Sequence, residues 1–145
     1  MTKSLIAILI PLVLLVVIAA ACSKPGANGS TGAPGKVIKT VTVDNLTATL
    51  SNGTGYLKQG EQEVTLAFTD SAGKPVDVGS MSLNFHMDQM GTMPVMNNST
   101  TFLTTSTPGV CRGRVNIESA GEWQAQLAFE GQAGKGKTTF TVTAR

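Results

Sequence analysis

Gly121-Glu122-Trp123-Gln124-Ala125-Gln126-Leu127-Ala128-Phe129-Glu130 is the stretch on which the fold turns. Trp123, Ala125, Leu127 and Phe129 share one side of an extended chain and Gln124, Gln126 and Glu130 the other, because successive strand side chains point to opposite faces. Such a strand buries one face and wets the other, as in an antiparallel sheet lying on a core. Trp123 is the expected centre of that core, contributing at least the roughly 1.5–3 kcal/mol of a large aliphatic side chain.

The same alternation recurs along the chain. Val64, Leu66 and Phe68 oppose Thr65, Ala67 and Thr69, and Phe140 and Val142 oppose Thr139, Thr141 and Thr143. Turn signals separate the runs at Asp70-Ser71-Ala72-Gly73, Pro108-Gly109, Ser119-Ala120-Gly121 and residues 131–136. Strands are expected near residues 37–50, 61–69, 79–87, 100–107, 110–118, 122–130 and 137–144. About seven strands in the 109 residues from Val37 to Arg145 predict an all-β protein with a single immunoglobulin-like antiparallel β-sandwich.

Residues 1–21 read as an export signal: Lys3 is the charged end, the run from Leu5 to Ala20 is apolar apart from Pro11, and Ala19-Ala20-Ala21 supplies small residues for cleavage. Cys22 follows at once, as in the bacterial lipobox, so it is the expected lipidation site and the membrane partner is reached through that lipid. Cleavage with free secretion and an uncleaved anchor are the two other readings, the apolar run being close to the roughly 18–20 residues that span a bilayer. Ser23 stands where an aspartate would hold such a lipoprotein at the inner membrane. The expected place is the cell envelope, on the extracytoplasmic side, and the outer membrane facing the periplasm in a diderm organism. Residues 23–36 (SKPGANGSTGAPGK) carry no large apolar side chain and read as a flexible tether with a reach near ~20 Å.

Without Lys3, ten Lys and Arg stand against nine Asp and Glu. That balance gives no field for nucleic acid, and no basic stripe with stacking aromatics accompanies it. Catalysis also lacks its parts: there is one histidine, no serine nucleophile motif and no phosphate loop. A non-enzymatic role is expected. If Cys22 is lipidated, Cys111 is alone in an oxidising compartment. It shares a strand face with Val115 and Ile117, opposite Arg112, Arg114 and Asn116, so a buried, unreactive thiol is expected.

The chemistry is concentrated in Met81-Ser82-Leu83-Asn84-Phe85-His86-Met87-Asp88-Gln89-Met90-Gly91-Thr92-Met93-Pro94-Val95-Met96. It contains the single histidine and every methionine but the first, and Met87, Met90, Met93 and Met96 recur every third residue. Gly91, Pro94, Thr92 and Val95 weigh against a helix. Alternation places Met81, Leu83, Phe85 and Met87 on the core face with His86 opposite, and its failure after Met87 predicts a loop over residues 88–96. Thioethers converging from such a loop suit Cu(I), a soft ion, with Met87, Met90, Met93, Met96 and His86 as the candidate ligands and Asp88 and Gln89 around them. The competing reading is that methionine fills irregular gaps or forms an adaptable apolar docking surface.

Four pieces in order, Asp70-Ser71-Ala72-Gly73-Lys74-Pro75-Val76, Met93-Pro94-Val95-Met96, Pro108-Gly109-Val110 and Ala120-Gly121-Glu122-Trp123, resemble the YtkA-like domains, relatives of the periplasmic part of FixH proteins. The resemblance covers most of residues 46–144. It implies a β-sandwich and an extracytoplasmic binding or accessory role, and such domains are often encoded near copper transport or cytochrome oxidase genes. Cys111 stands where the family commonly has an aromatic after the Pro-Gly turn, and the methionine segment is longer than usual. Two functions follow as expectations: a tethered protein handling, tolerating or delivering copper, or a metal-free module docking through its methionine loop on a membrane transporter or oxidase-assembly complex.

Overall fold

The computed structural model describes residues 33–145; the expected export signal, Cys22 and all but the last few residues of the expected tether lie outside them. Nine strands form: β1 (Lys36–Val43), β2 (Leu46–Asn52), β3 (Gly60–Thr69), β4 (Ser80–Met87), β5 (Met96–Ser99), β6 (Thr101–Thr104), β7 (Val110–Ile117), β8 (Gly121–Gly131) and β9 (Gly134–Ala144). They make two antiparallel sheets, ordered β1-β2-β3-β7-β6 and β5-β4-β8-β9. Setting β1 aside, these are the ABED and C′CFG strand orders of an immunoglobulin-type sandwich.

Two departures raise the count from the expected seven. The single strand expected over residues 37–50 is a hairpin, β1 folding back on β2 with Val43 opposite Leu46. The turn residues are Asp44 and Asn45, and Asp44 takes φ 53°, a left-handed conformation that a short polar side chain tolerates. The second addition is β5. The chain expected to leave the sheet over residues 88–96 returns along β4, with Met96 opposite Met87 and Ser99 opposite Asn84. It then passes to the other sheet at Thr100, so the strand expected over residues 100–107 is only β6, residues 101–104.

The inward faces meet in one core that includes Leu50, Leu66, Phe68, Leu83, Phe85, Ile117, Leu127 and a fully buried Trp123. The Trp123 indole N–H donates to the Ser119 carbonyl, 3.0 Å away, across the β7–β8 corner. This indole does what a tyrosine hydroxyl does at the same corner of many immunoglobulin-type sandwiches. In β7, Val110, Cys111, Gly113, Val115 and Ile117 are buried while Arg112, Arg114 and Asn116 are exposed. Cys111 sits opposite Leu66, and burial pushes its thiol pKa up, with the Asp77 charge adding to it.

Strand directions fix what lies at each end of the sandwich. One end gathers the entry to β1, the β2–β3 loop, the β4–β5 tip, the β7–β8 corner and the exit of β9; a bridge between Leu57 and Ala144 ties two of them together. The opposite end holds the β1–β2 turn, residues 70–79, residues 105–109 and the β8–β9 turn. There Asp70 organises a tight turn, its carboxylate accepting from the Ala72 and Lys74 amides at 2.9 Å. Gly109, at φ 71°, lies so close to the Val76 backbone that a Cβ would collide with it.

Candidate functional site

The β4–β5 hairpin carries every candidate ligand. Its pairing runs from Asn84 with Ser99 to Met87 with Met96, and reappears at the tip as a bridge between Met90 and Met93. All these pairs share one axis between Gly91 and Thr92. The tip is closed by reciprocal backbone bonds, Met93 N–H to Met90 carbonyl at 2.9 Å and Met90 N–H to Met93 carbonyl at 3.3 Å. Gly91 at φ 59° followed by Thr92 at negative φ is the type II′ arrangement, whose twist matches that of the flanking strands. Pro94 has no N–H to give the ladder, and pairing lapses between the tip and β5.

Hairpin symmetry accounts for the interval of three. Met87 and Met96 form one cross-strand pair and are 3% and 9% exposed, inside the core. Met90 and Met93 form a second pair and are 61% and 41% exposed. Partners in a ladder project to the same side with Cβ atoms about 4.5–5.5 Å apart, so the structure sets the four candidate methionines side by side in two pairs. Met87 also closes the core beneath the β7–β8 corner, its methyl lying against Gly121. Met81 is half-buried and packs on the core from the other end of β4.

His86 faces outward on β4, with Asn97 of β5 on one side and Gln124 of β8 on the other. Its Nδ1 lies 2.8 Å from Asn97 Oδ1 and its Nε2 3.0 Å from Asp88 Oδ1. Both neighbours are oxygens, so both contacts are hydrogen bonds only when the ring carries two protons. The Asn97 and Asp88 hydrogen bonds accordingly raise the His86 pKa above its ordinary value, against a smaller lowering by burial. Gln124 donates to the other Asp88 oxygen at 3.4 Å. Gln89, expected near the ligands, is exposed beside the tip.

Among the described residues, His, Cys, Asp and Glu form no group of three that could hold a metal. The donors on offer for an ion are the Met90 and Met93 thioethers, with His86 available once it releases a proton and one of its partners. A broad groove on the outer face of the first sheet, lined by Leu103, Thr105, Arg112 and Arg114, contains no methionine.

A model of the YtkA-like family matches residues 40–128, well over half of the chain. The chain belongs to the YtkA-like family. No curated protein and no solved structure matches it. Three of the four sequence pieces first noted are structural in this YtkA-like domain. The turn at Asp70 and the Pro108-Gly109 turn meet at one end, where Phe68 N–H donates to the Gly109 carbonyl at 2.8 Å and Val76 N–H to the Phe68 carbonyl at 2.9 Å. Gly121-Glu122-Trp123 builds the corner at the other. Met93-Pro94-Val95-Met96 is the piece with large apolar side chains in solvent, where Met93 and Val95 are exposed.

Sequence reasoning missed Asn97. It pairs directly with His86, and a polar residue at that position could have been found by folding residues 84–99 about the Gly91 turn.

Proposed function

We propose that this YtkA-like domain is the extracytoplasmic part of a membrane-tethered lipoprotein, anchored through Cys22, that carries Cu(I) as cargo on its methionine hairpin. The supporting observation is the exposed cross-strand pair Met90 and Met93. Two thioethers side by side on a turn closed by its own backbone bonds are soft donors suited to Cu(I). A site so open to solvent favours passing the ion on by ligand exchange over locking it away. His86 is the further nitrogen donor, held in reserve by Asp88 and Asn97. Met87 and Met96 are assigned to the core. The role is one of binding and transfer, with no catalytic step.

An anaerobic competition titration against a chromogenic Cu(I) chelator tests this. One equivalent should bind the parent protein and the Met87→Leu/Met96→Leu variant, and Met90→Leu/Met93→Leu should weaken binding at least tenfold. Unchanged affinity in the second variant removes the hairpin tip as the site.

A second reading draws on a different observation: Pro94 and Val95 are exposed beside Met90 and Met93, so the tip is apolar as well as sulfur-rich. On that reading the tip docks on a membrane transport or oxidase-assembly complex without metal, leucines are tolerated, and Met90→Glu is not.

A further inference from the structure

Among the described residues, six large apolar side chains are exposed: Val37, Tyr56, Met90, Met93, Val95 and Leu103. Four of them, Tyr56, Met90, Met93 and Val95, lie at the end of the sandwich that carries the β2–β3 loop and the β4–β5 tip, while Val37 and Leu103 are level with each other across the middle of the first sheet. The opposite end presents Asp44, Asn45, Asp70, Ser71, Lys74, Asp77 and Gln132 instead. Thirty-two residues precede the described ones and include the apolar run from Leu5 to Ala20, so a membrane-seeking segment is joined to the domain by a short stretch of chain.

The apolar end is also built to keep its shape. Asn52, nearly buried, accepts from the Thr54 and Gly55 amides at 2.9 and 2.7 Å and donates to the Tyr56 carbonyl at 2.7 Å. Arg145 N–H donates to the Leu57 carbonyl at 3.0 Å, and Gln59 N–H to the Arg145 carbonyl at 3.1 Å. The Tyr56 ring has two cations over it, Lys58 Nζ at 5.9 Å and the Arg145 guanidinium at 5.6 Å from its centroid. An amphipathic aromatic with flanking Lys and Arg is what anchors proteins at the headgroup level of a bilayer.

We propose that this end rests on the lipid surface of the membrane holding the tether, with the Met90–Met93 tip and Tyr56 as its contact points. The inference rests on the reading of residues 1–22 as a membrane anchor. Lys36, Lys58 and Arg145 are offset by Asp88, Glu118 and Glu122 at the same end, so the contact is apolar and does not require anionic lipid. It can be weak, because a short tether supplies an effective concentration in the millimolar range. Contact with lipid would cover the tip, and its release would open the thioethers to an ion or an acceptor.

The test supplies its own tether. Residues 23–145 bearing an N-terminal hexahistidine tag are held on phosphatidylcholine vesicles doped with a nickel-chelating lipid, with no copper added. Oxidation of each methionine by hydrogen peroxide is then followed by mass spectrometry, beside the same protein without vesicles. Met81, half-buried toward the opposite end, is the internal standard. On vesicles Met90 and Met93 should oxidise at least threefold more slowly relative to Met81, equally with and without added phosphatidylglycerol. An unchanged ratio overturns the proposal, as does protection seen in native membranes and absent on pure lipid, which would assign the end to a protein partner. Flotation of the full chain with vesicles tests the natural anchor separately, so either reading can fail without the other.

Discussion

His86 is held between two oxygen atoms, Asn97 Oδ1 and Asp88 Oδ1, and both contacts favour the doubly protonated ring. Its pKa is therefore raised on folding above the ordinary value near 6.5. The stabilisation that results is fully present below that ordinary value and is lost as pH rises through the raised one. In urea denaturation between pH 5 and pH 9, the parent should exceed His86→Gln in stability at the acid end, and the gap should close toward the alkaline end. A gap independent of pH would mean that the imidazole stays neutral and Asn97 presents its amide instead. The proton and a metal ion compete for this ring, so His86 should contribute least to Cu(I) binding in acid. What sequence alone conveyed here was the outward face of His86, which follows from alternation. Of its two clamps, Asp88 is legible two residues along the chain, and Asn97 is hidden because it lies across the hairpin.

At the level of the element, the β4–β5 hairpin separates side chains that the one-dimensional pattern treats as equivalent. Met87→Ala should empty a buried site against Gly121 and cost about 2–5 kcal/mol, whereas Met90→Ala should stay within about 0.5 kcal/mol of the parent. Chemical denaturation distinguishes them, and equal costs would mean that the tip is packed in solution. Along the extended chain a spacing of three suggests convergence on one point. Folded about Gly91 and Thr92 it becomes an inner pair and an outer pair. β5 was illegible for a related reason: Met96-Asn97-Asn98-Ser99 contains one apolar residue, and only pairing with β4 makes it a strand. The β1–β2 turn was legible in principle, since Asp44-Asn45 is turn chemistry, but the valines and threonines on both sides carried the strand reading across it.

For the whole molecule, alternation was sufficient because the core is made almost wholly of inward strand positions, with Trp123 fully buried among them. The assignment of strands to two sheets was not available from pattern, since it depends on which edges the crossovers reach. Cys111 reports on the integrity of that assembly. It is 7% exposed and its thiol pKa is raised by burial, so the reactive thiolate is both scarce and covered. Labelling by an aromatic disulfide at pH 8 should proceed only through opening of the sandwich, with a rate that follows urea-dependent stability. Rapid labelling of the native protein would show that β6 peels from β7 independently. The single symmetry axis of the methionine hairpin carries a consequence for its variation in length. Adding one residue to each arm would turn the terminal thioethers to the other side. Adding two to each would keep their side and extend the tip by about 7 Å. The hairpin thus works as a graduated gauge, in which the distance of the sulfurs from the body of the domain changes in steps while their facing alternates.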